Sequence, residues 1–171
     1  MVRRTIPALC VLMFAMNGAS AAASSGMASS IGSFKQWGAW TYEDGGRPRC
    51  FVSSAPGSAE PSQLDHGEVM FFLKAGRDSE PRTESSFQTG YPFAEGSNVE
   101  ITIDDEKFVM ITSGRNAWLR RVEREPELLA AMKAGSTMAV EATSARGNGT
   151  SYVFSLDGVT AATARILSRC R

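Results

Sequence analysis

Two cysteines constrain this chain most, because they lie near opposite ends of its folded part. Cys50 and Cys170 are 120 positions apart. Outside the cytoplasm, two such cysteines favour a disulfide over free thiols, the alternative being a pair of unpaired buried thiols. Closing so long a loop stabilises a fold by roughly 4–5 kcal/mol in the chain-entropy model. We therefore expect one bridge that joins the first strands to the last helix.

The first 21 residues are typical of a secretory signal peptide. Arg3 and Arg4 begin it, an apolar run covers residues 6–16, and Ala19-Ser20-Ala21 forms a small-x-small cleavage site. The apolar run is shorter than the roughly 20 residues that cross a bilayer. We expect a protein in the periplasm or secreted, with no transmembrane segment after signal cleavage. The alternative is a retained interfacial anchor.

Composition limits the partners and the domain count. Without Arg3 and Arg4 the chain keeps 16 basic and 18 acidic residues, a net charge of −2. A nucleic-acid-binding domain is clearly basic, so no nucleic acid is expected as a partner. Residues 22–33 are rich in Ala, Ser and Gly and are predicted to be a disordered leader. Residues 34–171 then form a single β-rich domain.

Alternation of apolar and polar residues predicts seven or eight short strands. With two helices they indicate a mainly β fold, either an antiparallel β-sandwich or a partly open barrel. Trp37 and Trp40 should lie on opposite faces of their strand because their spacing is odd. Strands are predicted over 37–42, 49–53, 68–74 and 85–90, a loop over 55–66, and hairpins over 99–112 and 138–156.

Two helices are predicted from their end signals and their apolar faces. The first covers 125–133, with Pro126 in its first turn and Gly135 just beyond its end. The second covers about 159–169. Its apolar positions share one stripe with Cys170, so a bridge to Cys50 would clamp this helix onto the sheet.

The residues contain no catalytic, cofactor-binding or metal-binding constellation that stands out. His66 is the one histidine of the chain. Asp65 is only its sequence neighbour, so a surface loop histidine is favoured over a Ser-His-Asp triad. With both cysteines in a bridge, too few ligands remain for zinc. We expect no catalytic residue, no cofactor and no metal.

One segment is a candidate interaction surface. Arginine and tryptophan are enriched at interface hot spots, and four arginines surround Trp118. The alternative is a core Trp118 whose arginine rim pairs with Glu123, Glu125 and Glu127. The four arginines are Arg115, Arg120, Arg121 and Arg124.

The second half also carries a family pattern. Its segments are Gly90-Tyr91-Pro92-Phe93, Glu95-Gly96-Ser97, Ala117-Trp118-Leu119-Arg120, 131–138, 143–147 and 155–162, closing on Cys170. Together they resemble the invasion-associated locus B family, exported proteins of Gram-negative bacteria, mostly alphaproteobacteria. The resemblance implies a mainly β exported protein without an established activity. The chain departs from the pattern at Asp104-Asp105, where a glycine is common, so one turn residue is expected to need a positive φ.

These observations favour a non-enzymatic exported envelope or periplasmic protein that binds a partner. It would be a protein-binding or host-interaction factor, with an unknown protein or envelope component as its partner. The alternative is a periplasmic enzyme or carbohydrate-binding module with a loop-built site. A deep pocket with converging carboxylates would favour the enzyme, and a flat face bearing Arg and Trp would favour the binding protein.

Overall fold

The computed structural model describes residues 26–76 and 83–170. In these ranges the chain forms strands, one short 3₁₀ turn and two helices. The elements are β1 (Ser29–Phe34), β2 (Trp37–Asp44), β3 (Arg47–Ser54), β4 (Ser58–Glu60), β5 (Met70–Ala75), β6 (Thr83–Gln88), β7 (Asn98–Ile103), β8 (Glu106–Ser113), β9 (Asn116–Leu119), the 3₁₀ turn (Val122–Arg124), α1 (Glu125–Ala134), β10 (Thr137–Thr143), β11 (Gly149–Ser155) and α2 (Val159–Arg169).

All eleven strands belong to one antiparallel sheet. Its order is β1-β2-β3-β5-β6-β9-β8-β7-β10-β11-β4, so β1 and β4 are its edges and the sheet is not closed. The predicted mainly β fold with two helices is confirmed. Most neighbours in the sheet are also neighbours in sequence, as expected for a chain built from hairpins.

The sheet curls until its two halves pack on each other. The ring of Phe71 in β5 lies 6.0 Å from that of Phe154 in β11. The ring of Phe87 in β6 lies 5.5 Å from that of Tyr152 in β11. At the last residue of β11, the Ser155 carbonyl accepts from the indole N–H of Trp37 over 3.0 Å. These contacts make one common core, as in a partly open barrel.

Alternation along each strand decides which side chains enter this core. In β2, Trp37 is fully buried while Trp40 lies half-buried on the outer face, so the predicted opposite facing of the two tryptophans is confirmed. In β5, Phe71 and Leu73 are fully buried and Phe72 lies on the outer face. The outer face therefore carries aromatic side chains that the core does not use.

Three strands are absent from the sequence prediction, so the expected seven or eight strands were too few. Strand β4 has three residues and β9 has four, which is too short for alternation to show. Strand β1 is made mainly of Ser and Gly but pairs with β2 along its length. The predicted disordered leader is therefore ordered from Ser29 onward, because β2 supplies the partners for its backbone groups.

The predicted cysteine pair is confirmed, and it joins β3 to the residue that follows α2. Cys50 and Cys170 form a disulfide with their Cα atoms 5.8 Å apart. Helix α2 buries Val159, Ala162 and Ile166 against the sheet. The bridge and this apolar face hold α2 against the curled sheet.

The hairpin between β7 and β8 confirms the expected backbone cost of its turn. Asp104 takes a φ of 50°, a conformation that residues other than glycine adopt rarely. Across the two strands, the ammonium of Lys107 lies 2.7 Å from the Glu100 carboxylate. This hydrogen bond and the charge of Glu100 raise the pKa of Lys107. An exposed pair of this kind contributes little stability.

Removing the bridge should lower thermal stability strongly. For Cys50→Ala with Cys170→Ala, we expect the melting temperature to fall by roughly 10–20 °C, because the unfolded chain regains the entropy of a loop of 120 residues. Circular dichroism melts measure this. The wild type in excess reductant is the control and should match the double variant. Equal melting temperatures with and without the bridge would show that it adds nothing to the fold.

Candidate functional site

The structure places Trp118 on the outer face of the sheet. Its Cα partners are Ile111 in β8 and Ser86 in β6. Trp118 is 37% exposed and Ile111 is 49% exposed, so both present apolar surface to solvent. The alternative of a fully buried core tryptophan does not describe this side chain.

The four predicted arginines do not gather around Trp118. Arg120, the residue after β9, lies two positions beyond Trp118 and is exposed like it, and it donates from Nη2 to the Asn98 side-chain oxygen. Arg121 is ion-paired with Glu123 over 3.2 Å. A backbone hydrogen bond first, and the bond with Arg121 second, lower the pKa of Glu123. Arg115 lies in the turn between β8 and β9, at the end of the sheet. Of the four arginines, therefore, Arg120 stands beside Trp118.

Arg124 is held at another place. It pairs with Glu127 over 2.7 Å and donates to the Lys107 carbonyl over 3.0 Å. Its guanidinium lies 4.4 Å from the centre of the Phe108 ring, a cation–π geometry. Arg124 therefore serves the packing of the 3₁₀ turn and α1 onto the sheet.

Glu125 was expected as a partner for an arginine, and it has another role. It is 2% exposed, and its Oε1 accepts from the Ser85 amide over 2.9 Å and the Ser85 hydroxyl over 2.8 Å. Its Oε2 has no hydrogen-bond partner among the described residues. Burial raises the pKa of this carboxyl, an effect that the two Ser85 bonds partly offset. Glu125 lines neither of the two concavities described below.

His66 lies in the loop between β4 and β5, as the sequence favoured, but it is half-buried and both of its ring nitrogens have hydrogen-bond partners. Its Nδ1 lies 2.8 Å from the Tyr152 hydroxyl, and its Nε2 lies 3.0 Å from the Pro61 carbonyl oxygen. The Tyr152 hydroxyl continues to the Tyr91 hydroxyl over 2.8 Å. Tyr91 continues to the Thr150 hydroxyl over 2.6 Å. A chain of four polar side chains therefore runs from the 61–69 loop into β11.

The proton positions in this chain follow from its ends. A carbonyl oxygen only accepts, so Nε2 of His66 carries the proton that faces Pro61. In the neutral ring Nδ1 then accepts from the Tyr152 hydroxyl, and the Tyr91 hydroxyl donates to Tyr152. Burial first, and the bond with Tyr91 second, raise the pKa of Tyr152. Tyr152 is therefore a neutral donor and not a base.

Close backbone contact holds the His66 loop against the turn after β6. The Gly90 amide donates to the His66 carbonyl over 3.1 Å. A Cβ added to Gly90 would lie 2.5 Å from the Gly67 Cα, closer than real atoms approach. Gly67 also has a φ of 60°, which suits glycine. These two glycines fix the distance between His66 and Tyr91.

Three side chains of this hydrogen-bonded network, His66, Tyr91 and Thr150, belong to residues that line a pocket at one end of the strands. The pocket has a volume of about 460 Å³, within the range of small-molecule sites. Its walls come from the 61–69 loop, the turn after β6, and the turns that join β8 to β9 and β10 to β11. Two arginines, Arg115 and Arg146, line the pocket together with one acidic residue, Asp65.

A second concavity is a wide, shallow groove on the outer face of β4, β11, β10 and β7. Its volume is about 810 Å³, and three carboxylates line it. Two of these already have partners, because Glu100 pairs with Lys107 and Glu60 accepts from the Ser62 amide over 2.8 Å. The third carboxylate is that of Glu141, the cross-strand neighbour of Glu100. Within the described part of the chain, no cluster of three or more His, Cys, Asp or Glu could hold a metal.

An unclosed antiparallel sheet, clamped by one disulfide to its C-terminal helix, defines a class of mainly β domain. The chain belongs to the invasion-associated locus B (IalB) family, whose model matches residues 37–167. This confirms the resemblance found in the second half of the sequence. No helix within 26–76 or 83–170 is long and apolar enough to cross a membrane.

The fold is also found in a solved relative. The chain is similar to the crystal structure of invasion associated protein b from Bartonella henselae, with a TM-score of 0.58. The match covers 84% of this chain and 96% of that chain at 14% identity. At such an identity the likeness concerns the fold alone. None of the curated proteins matches the chain.

The His66 tautomer can be measured directly, because the chain has one histidine. We expect ¹⁵N–¹H spectra of an untagged protein to show that the neutral ring carries its proton on Nε2 and not on Nδ1. In Tyr152→Phe, which removes the donor to Nδ1, the Nδ1 resonance should move while Nε2 keeps its proton. Tyr42→Phe, far from the pocket, is the control. A ring protonated on Nδ1 alone would contradict the assigned network.

Glu125 should make the fold less stable as the pH rises. Its folded pKa is raised above the ordinary 4.5, so the folded state binds more protons than the unfolded state between the two values. The contribution of Glu125 to stability is therefore fully present below pH 4.5 and is lost as the pH rises through the raised folded value, by about 1.4 kcal/mol for each unit of elevation. Glu125→Gln should remove this part of the slope in urea titrations from pH 4 to 8. Glu127→Gln, on the same turn but exposed, should keep it. Identical slopes for both variants would contradict the assignment to Glu125.

Proposed function

We propose that this protein is an exported, non-enzymatic binding protein whose partner docks on the outer face around Trp118. This Trp118 face consists of Phe72, Ile111, Trp118 and Arg120. The observation that carries the proposal is the exposure of Trp118 and Ile111 as cross-strand neighbours. An exposed apolar pair beside an arginine is typical of interface centres.

The apolar surface continues across the sheet. Phe72 of β5 and Trp118 of β9 are both Cα partners of Ser86, which lies between them on β6. Beyond Phe72, the ring of Phe51 lies 6.0 Å away. The ring of Trp40 stacks on Phe51 with centroids 6.5 Å apart. A partner therefore meets rigid aromatic side chains, which lose little conformational entropy on binding.

The charge of the face supports a partner with acidic groups. Arg120 donates to the neutral amide of Asn98, so no carboxylate in that bond balances its charge. Arg121 and Arg124, in contrast, each pair with a glutamate of the same segment. A carboxylate of the partner could form a bidentate pair with Arg120.

The two concavities do not favour the alternative of an enzyme. The pocket at His66 contains one carboxylate, and Asp65 already accepts from the Gly67 amide over 2.9 Å. The groove holds carboxylates but is shallow, and two of the three have partners. Glu125, the carboxyl whose pKa is raised, lies outside both. The Trp118 face, with its exposed apolar pair beside Arg120, supports the binding protein.

The proposed location is the periplasm or the medium. It rests on the signal-like residues 1–21, which lie outside the described ranges, and on the exported character that the family resemblance implies. Fractionation of the native host, with protease treatment of intact cells, separates the two locations. Protein found only in the cytoplasmic fraction would overturn export.

Replacing the centre of the face should abolish partner binding and leave the fold intact. A photo-crosslinking amino acid at Ile111 should yield a defined adduct in the native host. Adding Trp118→Ser and Arg120→Glu should reduce that adduct at least tenfold, because the apolar centre and the cation are both lost. The melting temperature should fall by no more than a few degrees, since neither side chain is buried.

A crosslinker at Val153 is the matched control. Val153 is 42% exposed on the outer face of β11, far along the sheet from Trp118. It should give none of the Ile111 adduct. The same adducts from both positions, or no adduct from Ile111, would refute docking on the Trp118 face. An adduct with a second copy of the chain would replace the acidic partner by self-association.

A further inference from the structure

We propose that the pocket at His66 binds a small anion that carries a carboxylate or phosphate group. The inference goes beyond the proposed function, because the pocket lies at the ends of the strands and the Trp118 face lies on the outer side of the sheet. It rests on the charge at the pocket and on its polar wall. Neither is needed to hold the core together.

Positive charge is in excess at the pocket, because two arginines and one acidic residue, Asp65, line it. The guanidinium groups of Arg115 and Arg146 form no hydrogen bond or ion pair with any residue in 26–76 or 83–170. The two residues lie in different turns and line the same pocket. Two planar cations at one concavity match the oxygen geometry of a carboxylate or a phosphate.

The polar part of the lining can accept hydrogen bonds from the hydroxyl groups of a ligand. Thr150, which is 6% exposed, and Tyr91 both line the pocket. Their mutual bond of 2.6 Å continues to the buried Tyr152 and to His66, so the hydroxyl protons are used within the network and the oxygen lone pairs remain as acceptors. Such a network keeps the acceptors in place before a ligand arrives, which lowers the entropy cost of binding.

The pocket size sets the ligand class. About 460 Å³ admits an inorganic anion or a sugar acid, but not a folded protein partner. A sugar acid would place its carboxylate at the arginines and its hydroxyl groups at Thr150 and Asn148. Asp65 opposes an anion, because it adds one negative charge to the same lining.

The test compares three probes on the full mature protein. D-galacturonate and inorganic phosphate should bind by titration calorimetry and shift the His66 ring signals, whereas neutral D-galactose should do neither. Stronger binding of galacturonate than of phosphate would assign a sugar acid, and the reverse would assign a phosphate compound. Equal binding of galactose and galacturonate, or no binding by either anion, would overturn the proposal.

Three variants separate the pocket from general charge effects. Arg115→Gln with Arg146→Gln should weaken anion binding at least tenfold. Arg47→Gln with Arg169→Gln removes the same charge at two exposed positions away from the pocket, and should change the affinity less than twofold.

Asp65→Asn should strengthen binding severalfold, since an asparagine oxygen can still accept from the Gly67 amide. Stronger anion binding in Asp65→Asn would also support the site if the arginine variants failed to fold. Equal losses in the two arginine pairs, or weaker binding in Asp65→Asn, would overturn the site.

Discussion

The contact between β11 and the opposite half of the sheet governs the rest of this structure. Phe154 and Tyr152 project from β11 onto the rings of Phe71 and Phe87. Because the sheet is not closed by hydrogen bonds, these rings and the α2 clamp hold its curl. The same contact orients Tyr152, whose ring belongs to the core while its hydroxyl reaches His66. Tyr152 therefore contributes both to core packing and to the hydrogen-bonded network at the pocket.

The parts of the fold that could be predicted are those with local signals. Pro126 and Gly135 near the two ends of α1, and the alternation around Asp104, show in a short window. The cysteine pair could be predicted for another reason, since Cys50 and Cys170 are the two cysteines that follow the first 21 residues. Strands β4 and β9 could not be predicted, because three or four residues contain too few alternations. Strand β1 was missed because its pairing with β2, and not its composition, decides its structure.

The pocket could not have been found in the sequence for a related reason. His66, Tyr91 and Tyr152 are far apart along the chain and meet only because the curled sheet brings their segments to one end. The close approach of Gly67 and Gly90 gave no usable signal, since glycine is common in any loop. The predicted cluster of four arginines around Trp118 was wrong for a different reason. Residues adjacent in sequence diverged because alternation and turns sent their side chains to different faces.

Core packing explains the side chains that point inward from each strand, but it does not explain those that point outward. Phe87 and Val52 are buried because the curled sheet needs them, so the fold accounts for their presence. Trp118 and Ile111 stabilise the sheet only as a cross-strand pair, which smaller or more polar residues could replace at modest cost. An apolar surface that folding does not require is best explained by what it contacts outside the chain. That argument supports the proposed docking on the outer face and leaves the core as the support of that face.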